Sequence, residues 1–325
     1  MKKGRKWLRR LGVFLAVVVL FLWWRGCALP AAPAHARVTP DLSKLPKLRV
    51  CWVEYARKDE WGWLGSPGFS RTWKWKATAS GIVIRHPSGD VLIDGGNSPN
   101  FLPELAELHF LPRVYLKMAA GGLKTTLRPT EALTKIGVDA AKLKWFIPSH
   151  AHLDHLGGIM DLPTNVPVAM SNDEYYTVRA RKDDGGLSVV PAQARAVLSR
   201  VTPLEFQDKP YETFDQSVDL FGDGSVVIVK LPGHTPGSIG IFVNLGAGRR
   251  LVHVGDVVDI SEQYERRVGK GAPLMFTDDD RGKANASVAK LSQLHEMASD
   301  VTIVPAHDRA AYEKFFGAEP GCVEK

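Results

Sequence analysis

Four short apolar runs in this chain end alike. KLKWFIPSH (142–150) delivers His150, VVIVKLPGH (226–234) delivers His234, RLVHVGD (250–256) delivers Asp256, and DVTIVPAH (300–307) delivers His307. Runs this short, rich in Val, Ile and Leu and closed by Gly, Pro or Asp, read as buried strands. Strand ends along one edge of a sandwich converge on one place, while each strand stays rigid behind it. The chain is thereby limited to folds in which separated strands open onto a common edge.

The first of these ends runs into SHAHLDHLGG (149–158), which places three of the chain's ten histidines and one aspartate within six positions. His150 and His152 are two residues apart, so extended backbone points them the same way and they can chelate one ion. Asp154 and His155 come where a turn must begin, and Asp suits a helix N-terminus. This pair can therefore address a second, nearby point. Imidazole with carboxylate suits zinc and similar divalent ions, and an incomplete protein shell leaves a place for water. His234, Asp256 and His307 would complete it. The competing readings are a chance cluster or a closed metal site kept for stability. A closed site ordinarily uses cysteine, and this chain has three cysteines with no Cys-x-x-Cys.

The remaining segments supply a scaffold. LRVCWVEYA (48–56), the pair within SGIVIRHPSGDVLIDGG (80–96) and VPVAMS (166–171) read as strands. Residues 217–238 and 238–256 read as two hairpins, and 300–307 as the final strand. Helical spacing appears in 100–140, in the polar stretch 173–200 and in ASVAKLSQLHEMA (286–298). Residues 57–76, rich in aromatics and glycine, are expected to form a long loop. Two strand sets, each followed by helix, fit an α/β chain built as a four-layer αββα sandwich.

Residues 1–36 stand apart as a leader and linker, with 37–325 expected to form one domain. The leader has a basic start, MKKGRKWLRR, and an uncharged apolar run, Leu11–Trp24. That run suits the apolar core of a signal peptide better than a full membrane span. Attachment to a membrane through residues 11–24 is the alternative, with Trp23 and Trp24 at the interface. Either way the body is expected outside the cytoplasm, periplasmic or anchored to the inner membrane. The seven basic residues of this leader account for the whole formal charge of +7. The body is neutral, so net charge gives no support for nucleic acid as a partner. Cys27 belongs to the leader. Cys51 and Cys322 could pair in an oxidising compartment, but spacing alone does not bring them together.

The chain resembles the metallo-β-lactamase superfamily. The resemblance is carried by His-x-His-x-Asp-His at 150–155, His234 in PGHTPGS, Asp256 in HVGD, His307 in PAHD, and the upstream VLIDGG with Asp94. It implies a first metal on His150, His152 and His234, a second on Asp154, His155 and His307, and Asp256 between them. The ions implied are two divalent metals, zinc foremost. Asp154 is then also a catalytic residue, and Asp94 supports the site from below without being a ligand. Two ions sharing a hydroxide bring the pKa of water towards neutrality, and that hydroxide attacks a carbonyl or phosphoryl centre. No Gly-x-Ser-x-Gly nucleophile motif is present.

Within the superfamily the chain looks most similar to the N-acyl homoserine lactonase group, which implies a small-molecule lactone or ester substrate. Those lactonases carry a tyrosine three residues after the bridging aspartate; here the position is Asp259, and Tyr264 does not match it. Lactone specificity is thus left open against a β-lactam or phosphotriester. A mononuclear iron dioxygenase acting on thiols and a binding protein without turnover are the readings from other classes. The surplus over a minimal lactonase lies at 57–76, 100–130 and 260–285, and should build the pocket walls. Trp61, Trp63, Phe69, Trp73 and Trp75 would form an apolar lid, or would pack over the sheet or lie against the membrane near the leader. Three acids in FTDDDRGK (276–283) read as a solvated helix N-terminus, with a substrate contact as the lesser reading. His253 reads as a packed histidine, and His35, His86, His109 and His295 carry no expected role.

Overall fold

The computed structural model describes residues 2–25, 28–33, 36–66, 74–125, 127–186, 189–246, 248–271, 274 and 277–324. The chain lays down β1 (Arg49–Trp61), β2 (Lys74–Arg85), β3 (Val91–Ile93), β4 (Lys124–Thr125), β5 (Trp145–Ile147), β6 (Val168–Ser171) and β7 (Val201–Leu204) in one sheet. It then builds a second sheet from β8 (Ser217–Asp219), β9 (Val226–Lys230), β10 (Ile239–Asn244), β11 (Arg250–His253) and β12 (Val301–Val304). A last strand, β13 (Cys322–Glu324), returns to the first sheet. The strand orders are β13-β1-β2-β3-β5-β6-β7, with β4 also on β1, and β12-β11-β10-β9-β8.

Alternation along the strands explains the layers. On β1, Val50 and Trp52 face the second sheet and meet Ile82, Ile228, Ile241 and Val304 in one buried cluster. The intervening Cys51, Val53 and Tyr55 face the other way, against Leu133, Leu156, Val178 and Val197 from helices. The second sheet does likewise, with Val227, Val229 and Phe242 packed on Val288, Leu291 and Leu294 of the helix Arg281–Met297. The result is helix, sheet, sheet, helix, as the strand pattern requires. A strand buried on both faces cannot show polar alternation, which is why these runs read as almost continuously apolar.

Three segments differ from the sequence reading. Residues 57–61 and 74–76 are not loop. β1 and β2 continue as a two-stranded ribbon, paired from Arg57↔Thr78 to Trp61↔Lys74, with the short helix Gly62–Gly65 beyond. Its alternating exposure hides the strand behind charged residues. The strand that leads to His307 is not the last, because β13 pairs with β1 in a register that sets Cys51 opposite Cys322. Those two cysteines form a disulfide. β7 went unread because Pro203 interrupts it; it pairs in parallel with β6 at the sheet's edge, where a missing N–H is tolerated.

Residues 2–25 form one helix. The membrane anchor considered at 11–24 finds no support there: among the described residues no helix is long and apolar enough to cross a membrane. Cys27 and His35 lie outside the described residues.

Candidate metal centre

Each of the four strand runs stops just short of its polar residue, and the loops that follow β5, β9, β11 and β12 meet at one edge of the two sheets. After β5 the chain passes His150 and His152 and turns into the short helix Leu153–Leu156. The paired glycines that close SHAHLDHLGG have a steric reason. A Cβ on Gly158 would lie 2.7 Å from the Cα of Gly95, so the loop after β3 and this turn lie backbone against backbone. Gly95 N–H also donates to the carbonyl of His155.

All seven residues expected as ligands come together. Side-chain atoms of His150, His152, His234 and Asp256 form one group, and those of Asp154, His155 and His307 another, each within 4.8 Å. His234 Nε2 lies 2.9 Å from His152 Nδ1. Asp256 stands between the groups. Its Oδ2 is 3.6 Å from His234 Nε2, 3.9 Å from His150 Nε2 and 3.2 Å from His307 Nε2, while Oδ1 is 3.3 Å from His155 Nε2. Asp154 Oδ2 is 3.3 Å from His307 Nε2.

The polar balance of this cluster fits metal. His150 Nε2, His155 Nε2 and Asp256 Oδ1 are buried and have no hydrogen-bond partner. Each such atom costs about 1–3 kcal/mol when left unsatisfied, and the two histidine nitrogens lie on either side of Asp256, 3.9 Å and 3.3 Å from its oxygens. A divalent ion satisfies nitrogen and carboxylate lone pairs together. Burial, with the neighbouring histidines, holds His150 and His152 well below the ordinary histidine pKa, which leaves them as neutral donors. For His155, burial pulls downward but Asp256, Asp94 and Asp154 outweigh it and lift it to about 10. Binding a cation at this second group must therefore displace a proton.

Around this cluster the outer ring nitrogens are held. Asp94, fully buried at the end of β3 with φ 52°, accepts from Ser149 N–H at 2.6 Å, from His155 Nδ1 at 2.8 Å and from His253 Nε2 at 2.8 Å. His253, read as a packed residue, is packed and braces this carboxylate. His307 Nδ1 donates to the carbonyl of Thr78 at 2.8 Å. His234 Nδ1 faces Asp278 Oδ1 at 3.0 Å and Lys270 Nζ at 2.8 Å, and Lys270 pairs with Asp278 at 3.0 Å. Nδ1 can accept from Lys270 or donate to Asp278, and a metal on Nε2 would select the second tautomer, in which Nδ1–H donates to Asp278.

Sequence reading missed four contributors. Glu174 is buried and accepts from Ala151 N–H at 2.6 Å, Thr235 Oγ1–H at 2.7 Å and Gly237 N–H at 3.0 Å, lashing the His150–His152 segment to the His234 loop. Lys270 and Asp278 fix His234. In FTDDDRGK the helix N-terminus is real, with Asp280 accepting from Lys283 N–H, but Asp278 turns inward. Tyr115, on the helix Phe110–Ala119, joins Asp154, Asp259 and His307 in lining a cavity of about 630 Å³. Nothing local marks any of the four; each acquires its partner through tertiary packing.

All three surplus stretches line this cavity. Lys58, Leu64 and Trp75 come from the first, Phe101, Tyr115 and Leu116 from the second, and Leu274 from the third. The aromatic lid is reduced. Trp75 is buried against Ile260, and Trp61 is exposed with Lys74 over its ring. Phe69, Trp73 and the side chain of Trp63 lie outside the described residues.

An αββα sandwich whose strand ends carry a paired histidine–aspartate centre is the frame of a large class of metal proteins. The chain belongs to that class by descent: residues 77–307 match the family described as the metallo-beta-lactamase superfamily, and the chain is a member of it. N-acyl homoserine lactonase AttM of Rhizobium radiobacter is 27% identical over 242 residues, covering 72% of this chain and 83% of that protein. Probable metallo-hydrolase YflN of Bacillus subtilis is 29% identical over 183 residues, covering 52% of this chain and 66% of YflN. Among solved structures, an AiiA variant of B. thuringiensis with N-decanoyl-L-homoserine at its active site superposes with a TM-score of 0.57 at 17% identity, over 82% of this chain and 95% of AiiA. An N-acyl homoserine lactone hydrolase with N-hexanoyl-L-homoserine at its catalytic metal center gives 0.56 at 18%, over 82% and 95%. These superpositions establish the fold.

Proposed function

We propose that this protein is an exported metal-dependent hydrolase that opens the lactone or ester bond of a small acyl substrate. One observation carries the reading. Two groups of side chains able to ligate metal meet at Asp256, with His150 Nε2, His155 Nε2 and Asp256 Oδ1 partnerless, and Asp154 and His307 line a largely apolar cavity. In this account His150, His152 and His234 hold one divalent ion, Asp154, His155 and His307 hold a second, and Asp256 lies between them, with zinc as the metal. The similarity to AttM supports a lactone as substrate class.

Bound there, such ions supply Lewis acidity and lower the pKa of water. The chain supplies the rest. Leu64, Trp75, Leu116 and Leu274 give the substrate's apolar arm a dry wall. Asp154 lies on the same wall, with its carboxylate partly open to it, so it can take up or return a proton at the reacting face as well as serve as a ligand. Tyr115 offers a phenol O–H donor from the cavity wall towards an acyl oxygen. Asp278 and Asp94 hold His234 and His155 in the tautomer that leaves Nε2 free.

Export draws support from the basic, then apolar leader and from the Cys51–Cys322 disulfide, a bond that persists in oxidising compartments. The test is turnover of an acyl lactone, an aryl ester, a β-lactam and an aryl phosphotriester by the zinc-loaded protein. Hydrolysis of lactone or ester that His152→Ala abolishes supports the reading. Turnover of the β-lactam or phosphotriester alone overturns it.

A further inference from the structure

Asp259 sits where the chain leaves Asp256 for the helix Ser261–Arg266. Gln263 Oε1 accepts the backbone N–H of both Asp259 and Ile260, which pins the residue in place. Its side chain is only 5% exposed, lines the cavity beside Asp154, His307 and Tyr115, and leaves Oδ2 without a hydrogen-bond partner. The walls near it are Leu64, Trp75, Leu116 and Leu274. A partnerless carboxylate oxygen in such surroundings is costly, and no mechanistic step above uses it. Lys270, itself buried, lies near enough to oppose the charge but is engaged with Asp278. Asp259 thus borders a ligand-sized space with a carboxylate that has no hydrogen-bond donor at Oδ2.

We infer that the Asp259 carboxylate accepts a hydrogen bond from an N–H or O–H that the substrate carries beside its scissile carbonyl. The cavity then selects acyl compounds having an apolar arm and such a donor. An α-amido lactone fits; an α-alkyl lactone of the same reach, lacking the amide, leaves the carboxylate unpaired. Sites built to hold a polar substrate group reject the analogue without it, because their own buried group is left without a partner. This specificity rests on the lactone and ester reading.

The test compares N-hexanoyl-L-homoserine lactone with α-heptyl-γ-butyrolactone in the full-length, zinc-loaded protein. It is run about one to two pH units above the value of about 7 to which burial, against Lys270, raises Asp259. The wild-type ratio of kcat/KM should favour the amide by about tenfold or more, the range for a hydrogen bond to a charged group. Asp259→Ala should collapse that ratio towards one, and Asp259→Asn, which keeps an acceptor, should restore part of it. Metal content and melting temperature are followed in each variant. A ratio unmoved by Asp259→Ala overturns the inference, as does an equal fall for both lactones, which a merely structural role would give. If the wild type hydrolyses neither, the lactone reading fails, and calorimetric binding of the two compounds decides the donor question alone. A preference for the amide that Asp259→Ala removes sustains it, and equal affinities sink it.

Discussion

The orientation of His234 depends on a carboxylate that no motif announces, and Asp278→Asn isolates that dependence. In the wild type, Asp278 Oδ1 lies 3.0 Å from His234 Nδ1, with Lys270 Nζ 2.8 Å from the same nitrogen. With a metal on Nε2, the ring would donate from Nδ1 to the carboxylate, which keeps Nε2 as a lone pair. With asparagine at 278 the carboxylate charge is gone, and the buried Lys270 becomes the dominant partner. It can only donate, so the neutral ring must place its proton on Nε2, the nitrogen that faces His152. A hydrogen-bond partner on the outer ring nitrogen of a metal-bound histidine is worth about 10–100-fold in affinity, or about 1.4–2.7 kcal/mol. Asp278→Asn should therefore weaken one of the two metal equivalents by that factor and leave the other near its wild-type affinity. Competition against a chromophoric chelator reads both. Adding Lys270→Met should recover part of the loss, because the competing donor is gone, and the double-mutant cycle measures that coupling. Unchanged affinity in Asp278→Asn with Lys270 intact would refute the tautomer argument.

Other outcomes follow from the same geometry. His152→Ala removes one of two nitrogens 2.9 Å apart and should lose metal and turnover together; metal analysis beside a lactone assay shows whether activity survives without the ion. Glu174→Gln sets an amide N–H₂ against donors now satisfied by a carboxylate, so urea unfolding of the metal-free protein should report a loss of about 1–3 kcal/mol. Cys51→Ser with Cys322→Ser opens a loop of sequence separation 271 and should cost about 2–5 kcal/mol; a denaturation midpoint equal to that of the oxidised wild type would rule out a structural role for the bond.

The sandwich and the seven-residue cluster were legible because each element carries its own evidence. A buried strand needs Val, Ile and Leu, and a ligand at its end needs a side chain that little else explains there. His150, His234, Asp256 and His307 all satisfied both conditions. Legibility failed where the decisive partner lies far off in sequence. Lys270 and Asp278 flank His234 from a separate loop, and Glu174 joins two segments from the start of a helix. The ribbon of β1 and β2 beyond Ala56 failed for another reason: it is half solvated, so Arg57, Lys58, Asp59 and Glu60 are charged in succession and the period-2 signal is lost. β13 is three residues long, and only its pairing with β1 reveals it. The disulfide became evident through that same register.

The central claim is that the strand-end cluster holds two divalent ions. Elemental analysis of the purified full-length chain, dialysed against metal-free buffer, tests it most directly when Asp154→Ala is measured in parallel. The account predicts about two zinc-class ions per chain and about one in the variant, since Asp154 belongs to the second group alone. A single iron per chain, or no retained metal, would contradict it.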